Sequence, residues 1–468
     1  MSLDETPTNQ AKPPQLNKLE TNQSTASASA SDPLSGHLNH LSEVQTEALD
    51  AFKKECEARK IYTPAEDGGE ASHDDSTLLR FLRARRFDVN GALAQFQSTE
   101  EWRKENDIDA LYENFDVDSY EQARRVYPQW TGRRDRRGIP IYVYVIKHLN
   151  NKNMTAYTSS AANTATSSTH ASSKVPPRLL RLFALYENMV RFVLPLCTRL
   201  DRPNPESPIV NTTNIVDITG VGLKQFWNLK GHMQDASTLA TAHYPETLDR
   251  IFVSHMQFLP RKLMECITDR AKLPWQKKII GAPVFFPTVW GWIKRWFDPG
   301  TTSKIFILSA ADVQPTLSSF MDPADIPKRY GGELDWDWGD MPNLDEPARA
   351  LVGSCEIVGP YADKPDEKEN SSGEATEGAE ARKSNFIKGP ATVHNDRIEV
   401  LGSIKGEERR KTFPLHVSQS EKQDAEVIEE AKSESPDPTV QLSNDLEKAA
   451  LSQCENVAPV AANAVASA

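Results

Sequence analysis

Motifs that most enzymes need are absent from this sequence of 468 residues. There is no Gly-x-Ser-x-Gly nucleophile elbow, no Walker phosphate loop, no His-Glu-x-x-His and no Cys/His zinc spacing. The five cysteines include no Cys-x-x-Cys pair, which is typical of reduced thiols in a cytosolic protein. No signal peptide is recognisable, and no apolar run reaches the ~18 residues of a membrane-spanning helix. We therefore expect a soluble protein that is not an enzyme and holds no metal or cofactor.

Charge and apolar content limit the part of the chain that can fold. The net charge is −12, and most of it falls in residues 361–468. The remainder is close to neutral, which argues against a nucleic-acid partner because binding phosphates requires a basic surface. Both ends are poor in large apolar residues. We therefore predict a disordered N-terminal tail at residues 1–38 and a mostly disordered, acidic C-terminal tail at residues 341–468.

The pattern between the tails predicts an α/β protein. Apolar residues recur at spacings of three and four through residues 39–112, which indicates a small helical subdomain. Residues 113–340 alternate helices with the strands "GIPIYVYV", "NIVDITGV" and "KIFILS". A loop rich in Ser, Thr and Ala, residues 158–174, precedes a long helix from Pro176 to about Leu200. Strands separated by helices imply crossover connections and a mainly parallel sheet.

Two glycines after the strand "NIVDITGV" raise the question of a nucleotide site. Gly220 and Gly222 precede a predicted helix, but Gln225 stands where a dinucleotide fingerprint has its third glycine. A nucleotide-binding enzyme is therefore a weak alternative.

The segment 285–297 has more apolar surface than one face of a helix can bury. Phe286, Trp290, Ile293 and Phe297 form one stripe at helical spacing, and further aromatic residues form a second stripe beside it. One interpretation is a helix packed between the sheet and a neighbouring element. The other is a helix that covers a cavity on one side and touches a membrane with the other, since tryptophan suits the bilayer interface.

Two groups of polar residues are candidates for a phosphate site. Four arginines crowd residues 80–86, and Lys304 directly follows the hydroxyl residues 301–303. Each group by itself is typical of a solvated surface. Together they would suit a phosphate, because guanidinium forks and hydroxyls match its oxygens.

Several stretches resemble the CRAL-TRIO lipid-binding family, in particular the fungal phosphatidylinositol/phosphatidylcholine transfer proteins. In chain order they are "STLLRFLRARRFDV", "YPQW" with "GIPIYVY", "NIVDITGVGL", "YPETLDRIF", "FFPTVWGWIKRWFDPGTTSKIFIL" and "DIPKRYGGELDWD". The resemblance implies a CRAL-TRIO fold, in which a helical N-terminal bundle, residues 39–112, adjoins a lipid-binding domain, residues 113–340. In that domain, a mixed, mainly parallel sheet and its flanking helices enclose a lipid pocket.

The resemblance also implies where a phosphoinositide headgroup binds. The family's headgroup positions fall on Arg85, with Arg86 adjacent, and on Thr301 and Lys304. Its acidic residue after Tyr-Pro falls on Glu246, which we expect to pair with a basic residue. The family's gate falls on segment 285–297, which favours the interpretation of that segment as a cover over a cavity.

The second lipid of the family is matched less well. A pocket tyrosine of the family falls on Tyr142, but its Ser-x-Thr pair is here Thr212 and Asn214, and its arginine after Tyr-Pro-Glu is Thr247. We expect Tyr142, Thr212 and Asn214 to line the lipid pocket. The departures leave open whether the second ligand is phosphatidylcholine or another apolar molecule, such as a sterol or squalene.

The function implied by the resemblance is transfer of phosphatidylinositol and a second apolar lipid between membranes. Transfer makes and breaks no covalent bond and needs no cofactor. We expect a cytoplasmic monomer that contacts membranes transiently, peripheral to the Golgi, endoplasmic reticulum or endosomes. The alternative is a lipid-sensing module that presents a phosphoinositide precursor to a kinase or trafficking partner, with the acidic tail as the contact.

Residues 253–278 interrupt the resemblance. Removing them joins Phe252 to Ile279 and leaves "YPETLDRIFIIGAPVFFPTVWGWIKRW", a continuous strand that leads into the gate. Val253 and Ser254 can be encoded by a splice-donor sequence, and the codon of Lys278 can end in AG. We hypothesise that the segment is a translated intron. The alternative is a genuine surface insertion, although insertions usually lie at loop tips rather than in a buried strand.

Overall fold

The computed structural model describes residues 34–66, 69–164, 177–255, 304–353 and 386–415. The predicted gate segment 285–297, Thr301 and most of residues 253–278 lie outside these ranges, as does most of each predicted tail. Among the described residues, no helix is both long and apolar enough to cross a membrane.

A helical bundle forms from the amphipathic segments near the N-terminus. Its helices are α1 (Glu43–Ala58), α2 (Asp75–Ala84) and α3 (Val89–Glu105). Asp74 and Asp88 accept hydrogen bonds from backbone N–H groups in the first turns of α2 and α3, and these N-caps define where both helices begin. The apolar stripes of the helices meet in a core of leucine and phenylalanine side chains. Two short helices, α4 (Ile108–Glu113) and α5 (Val117–Arg124), lead to the sheet.

The sheet has the strand order β1-β2-β3-β4-β5. Its strands are β1 (Gln129–Arg134), β2 (Pro140–Val145), β3 (Thr212–Asp217), β4 (Leu248–His255) and β5 (Ile305–Ser309). The first pair is antiparallel and the other pairs are parallel. The prediction of a mixed, mainly parallel sheet flanked by helices is therefore confirmed.

Helices connect and cover these strands. They are α6 (Asn151–Thr164), α7 (Pro177–Asn188), α8 (Leu194–Thr198), α9 (Leu223–His243), α10 (Ala310–Phe320) and α11 (Glu346–Val352). The prediction of a loop at residues 158–174 is wrong for its first seven residues, which extend α6. A π-helical turn, Met189–Val193, joins α7 to α8. Pro195 accounts for it, because proline has no N–H to donate to the carbonyl four residues earlier and its ring would clash there.

The back face of the sheet carries an apolar core. Alternate side chains of a strand point to opposite faces. On the back face Ile141, Val143, Ile215 and Phe252 are fully buried and pack against α10 in one core. Helix α10 therefore covers this apolar core.

The front face carries a mixed set of side chains. Tyr142 and Tyr144 of β2 are half-buried there, beside Asn214 and Val216 of β3. Ile251 of β4 continues this face. Helices α7 and α9 contribute to the apolar clusters on this side. The front face thus combines hydroxyl, amide and aliphatic groups, whereas the strand residues that pack against α10 on the back face are aliphatic or aromatic.

The predicted C-terminal tail contains ordered structure. Residues 386–415, here named the C-terminal unit, form strands β6 (Ala391–His394), β7 (Arg397–Val400), β8 (Ser403–Ile404), β9 (Glu407–Glu408) and β10 (Lys411–Pro414). The prediction of a mostly disordered tail is wrong for this unit and for residues 341–353. Buried residues such as Ile398 and Val400 join a core with the π-helical turn, α8 and α11, so the short unit completes a core that it could not form alone.

Candidate functional site

Glu246 lies in a fixed turn between α9 and β4. Its φ of +56° is in the left-handed region, which is strained for a residue with a side chain. Gln95 of α3 donates hydrogen bonds to the carbonyls of Thr241 and Ala242 at the end of α9, at 2.9 and 3.0 Å. The helical bundle therefore holds the turn that presents Glu246.

A buried ionic network secures the same turn. Glu187 is 1% exposed and accepts hydrogen bonds from Arg103, Arg191 and the hydroxyl of Tyr244. Burial alone would raise the pKa of Glu187, but the two guanidinium groups outweigh burial and lower it. The carboxylate thus stays charged and ties α3 and α7 to the residue two positions before Glu246.

Glu246 joins two cations from distant parts of the chain, which we name the ion cluster (Arg83, Glu246 and Lys304). Its Oε2 lies 3.2 Å from Nη2 of Arg83 and 3.2 Å from Nζ of Lys304. The Lys304 ammonium also donates to the carbonyl of Leu248 at 3.0 Å. Two cations share one carboxylate, so the cluster keeps an excess positive charge that an anion can neutralise.

The cationic side of the cluster is poorly solvated. Burial lowers the pKa of the Arg83 guanidinium, although Glu246 and Asp249 oppose that effect. Arg80 lies one turn earlier on α2 and is 7% exposed, and burial lowers its pKa as well. Among the described residues, its Nε has no hydrogen-bond acceptor. A buried guanidinium without enough acceptors favours the approach of an anion.

The predicted headgroup arginines lie elsewhere on this helix end. Arg85 is the C-cap of α2, and Arg86 has a φ of +53° just beyond it. Both side chains are exposed, and neither forms a hydrogen bond or ion pair within the described ranges. The structure instead places Arg83 against Glu246, a contact that sequence reasoning missed. The sequence feature that could have revealed Arg83 is its spacing of three from Arg80, which puts both arginines on one side of α2.

The predicted pocket residues Tyr142, Thr212 and Asn214 lie on the front face of β2 and β3, and a row of register partners runs across this face. Tyr142, Asn214 and Ile251 are register partners on successive strands, and the row continues to Trp130 on β1 and Ile305 on β5. Four strand spacings of roughly 4.8 Å make this row about 19 Å long. Its last member directly follows the lysine of the ion cluster. The row therefore connects the ion cluster to the far edge of the sheet.

Hydrogen bonds join the polar members of the front face to the turn that holds Glu246. Nδ2 of Asn214 donates to Oγ1 of Thr212 at 2.8 Å, and that hydroxyl donates to the carbonyl of Thr247 at 3.0 Å. Burial raises the pKa of Tyr142 well above its usual value, so its hydroxyl stays protonated. The predicted Thr212, Asn214 and Tyr142 are thus brought together, and Thr301 lies outside the described residues.

Comparison with known families identifies the domain. The family model described as "CRAL/TRIO, N-terminal domain" matches residues 48–98, and the one described as "CRAL/TRIO domain" matches residues 124–271 and 275–332. The chain belongs to the CRAL/TRIO family. The predicted resemblance is confirmed, and the matched residues include every member of the ion cluster and of the front-face row.

Curated relatives of this CRAL/TRIO protein include SEC14 cytosolic factors and a phosphatidylinositol/phosphatidylcholine transfer protein. The SEC14 cytosolic factor of Eremothecium gossypii is 28% identical over 280 residues, 60% of this chain and 75% of that relative. The SEC14 cytosolic factor of Yarrowia lipolytica is 30% identical over 268 residues, 57% of this chain and 45% of that relative. The phosphatidylinositol/phosphatidylcholine transfer protein SFH9 of Arabidopsis thaliana is 26% identical over 292 residues, 62% of this chain and 41% of that relative.

Among solved structures, the chain is similar to the crystal structure of Sfh5. The TM-score is 0.43 at 14% sequence identity, over 65% of this chain and 93% of that one.

A small cavity lies beside Tyr142 in this CRAL/TRIO domain. Its volume is about 50 Å³. Tyr142, Trp130 and Phe192 of the domain contribute to its wall, and so do Phe386 and Ile387 of the C-terminal unit. The predicted pocket tyrosine therefore faces a space that is bounded in part by a segment for which the sequence predicted disorder.

Proposed function

We propose that this CRAL/TRIO protein binds phosphatidylinositol and exchanges it between membranes through a gated hydrophobic pocket. The ion cluster is the observation that carries the proposal. A lysine at the start of β5 and an arginine of α2 converge on one carboxylate at the end of the front face. The names of the relatives, which include a phosphatidylinositol/phosphatidylcholine transfer protein, support a lipid as the ligand.

The headgroup would bind at the ion cluster. A phosphodiester carries one negative charge, which matches the excess of Arg83 and Lys304 over Glu246. It would also offset the desolvation of Arg83 and Arg80. In this proposal Arg85, Arg86 and Thr301 provide further contacts with phosphate and inositol oxygens, as the family resemblance implies.

The acyl chains would lie along the aliphatic part of the front face. Val216, Ile251, Val253 and Ile305 form an apolar cluster there. Ile307, the register partner of Val253, is 43% exposed. Burial of each methylene contributes about 0.8 kcal/mol, and extraction from a bilayer costs a similar amount, so exchange is nearly balanced. The gate residues Phe286, Trp290, Ile293 and Phe297 would cover the chains, and the headgroup site would set specificity.

The proposal includes a location and a mode of action. The protein would act as a cytoplasmic monomer that meets Golgi, endoplasmic reticulum or endosomal membranes at their surface and releases its ligand unchanged. The name "cytosolic factor" of the SEC14 relatives supports the cytoplasmic part.

Extraction of phosphatidylinositol from vesicles tests the headgroup site. Lys304→Ala removes the ammonium of the ion cluster, and Arg85→Ala removes a guanidinium assigned by resemblance. Each charge-assisted hydrogen bond is worth about 1.5–3 kcal/mol, so we expect extraction to fall by roughly tenfold to hundredfold for each variant. The matched control is Lys328→Ala, which removes an exposed lysine paired with Asp335 at 3.5 Å.

The outcomes separate binding from transfer. If folded Lys304→Ala extracts phosphatidylinositol as well as the parent does, the ion cluster is not the headgroup site. Vesicle-to-vesicle transfer is measured in parallel. A parent protein that extracts the lipid but does not deliver it to acceptor vesicles would refute transfer and favour the lipid-sensing alternative.

A further inference from the structure

The C-terminal unit is fastened to the lipid-binding domain through its backbone. The Tyr112 hydroxyl donates to the carbonyl of Ala391 at 2.6 Å and accepts from its N–H at 3.0 Å. Gly402 donates to the carbonyl of Glu113 at 2.8 Å. Its φ is +112°, and a Cβ there would lie 2.7 Å from the carbonyl oxygen of Phe115, so only glycine fits. These contacts fix the unit against α4 and the segment that follows it.

The docked unit places an aromatic ring at the end of the front-face row. The ring of Phe386 lies 5.7 Å from that of Trp130 and 6.1 Å from that of Phe192, both in edge-to-face geometry. Ile387, 4% exposed, belongs to the same core. Since Trp130 is the register partner of Tyr142, the unit borders the pocket at its β1 end.

The space left beside Tyr142 is small. The cavity of about 50 Å³ exceeds the roughly 10–15 Å³ that a single water molecule requires, so it can hold a small polar group. The Tyr142 hydroxyl forms no hydrogen bond within the described part of the chain, so it is available to a polar group in that space. A hydroxyl or a primary ammonium can form a hydrogen bond with the Tyr142 hydroxyl. A trimethylammonium group is larger than either and has no N–H to donate.

We infer that the C-terminal unit is a specificity wall of the lipid pocket. Phe386 and Ile387 restrict the second ligand to a lipid whose polar end is a hydroxyl or a primary ammonium, and they disfavour choline lipids. The inference rests on the proposed function, because it takes the front face as the lipid site. The CRAL/TRIO match ends at residue 332, so the wall is an addition to the matched domain.

Competition between two headgroups tests the wall. The full chain is incubated with vesicles containing equal amounts of phosphatidylethanolamine and phosphatidylcholine with identical acyl chains, together with phosphatidylinositol. We expect the parent to extract more of the ethanolamine lipid. Phe386→Ala removes the ring, and the ratio of choline to ethanolamine lipid extracted should rise on the order of tenfold, the scale on which pocket size discriminates. Extraction of phosphatidylinositol should not change.

Two further variants keep the test decisive. Phe386→Leu retains more of the packing and should raise the ratio of choline to ethanolamine lipid by less than the alanine variant does. It therefore tests the wall if Phe386→Ala does not fold. Val393→Ala removes a buried side chain of the same core that does not line the cavity and should leave the ratio unchanged.

The failure of the wall differs from the failure of the proposed function. A parent that prefers the choline lipid, unchanged ratios in both Phe386 variants, or an equal shift in Val393→Ala would each overturn the wall while phosphatidylinositol is still extracted. A parent that extracts none of the three lipids would overturn both proposals.

Discussion

The back face and the front face of the sheet are built from alternate residues of the same strands, but they differ in burial and in polarity. Val143, Ile215 and Phe252 on the back face are completely buried against α10. Tyr142 and Asn214 on the front face retain a hydroxyl and an amide beside a cavity or a hydrogen-bonded turn. Under the proposed function, stability depends on one side of each strand and ligand binding on the other, so changes on the two faces should have separable effects.

The largest effect is expected on the back face. Phe252→Ala removes a ring that lies 5.2 Å from Phe306 and 5.3 Å from Phe320. Large-to-small changes of a fully buried phenylalanine cost about 3–5 kcal/mol of unfolding free energy. Urea unfolding measures that loss, and lipid extraction by the folded fraction should keep its headgroup preference. A changed preference would show that the faces are not independent.

A gain in stability of intermediate size is expected from deletion of residues 253–278. Strand β4 runs through Val253, Ser254 and His255, so the hypothetical intron begins inside a strand. Ser254 is completely buried on the back face beside Leu308, and its hydroxyl has no hydrogen-bond partner among the described residues. Deletion would bring Ile280 to that register, and the added methylenes together with loss of the unpaired hydroxyl should contribute about 2–4 kcal/mol.

Thermal unfolding of the deletion variant measures this gain. The single change Ser254→Ala is the matched control, since it removes the hydroxyl without adding apolar volume and should recover only part of the gain. A lower melting temperature for the deletion variant, or a transcript that retains these codons as its main form, would contradict the intron hypothesis, which stays a prediction.

The fold was predictable because its signals are local. In "GIPIYVYV" β-branched and aromatic residues occupy both faces, so the sequence indicates a strand but does not show which face is buried in the core. The helix caps at Asp74 and Asp88 are equally local. The C-terminal unit escaped prediction because its buried residues, such as Ile398, complete a core supplied by residues about two hundred positions earlier. The low apolar content averaged over the whole tail conceals a short segment whose apolar residues are buried.

The site was predictable only in part. Glu246 and Lys304 were assigned by resemblance, and the structure brings them within 3.2 Å. Arg83 was missed because its role depends on how α2 packs beside the turn after α9, which no local pattern shows. The wall beside Tyr142 was missed for the same reason as the C-terminal unit. Contacts between segments that are distant in the chain are therefore the part of the site that the sequence did not predict.

The smallest effect on stability, and the sharpest contrast with Phe252, is expected from Tyr142→Phe. The hydroxyl has no hydrogen bond to lose within the described residues, so the unfolding free energy should change by less than about 0.5 kcal/mol. A hydrogen bond to the second lipid would be lost, and its extraction should fall about threefold to tenfold, with phosphatidylinositol unaffected. The same urea and vesicle measurements apply. An equal fall for phosphatidylinositol would mean that the front face is one undivided site, and a large loss of stability would mean that Tyr142 belongs functionally to the core.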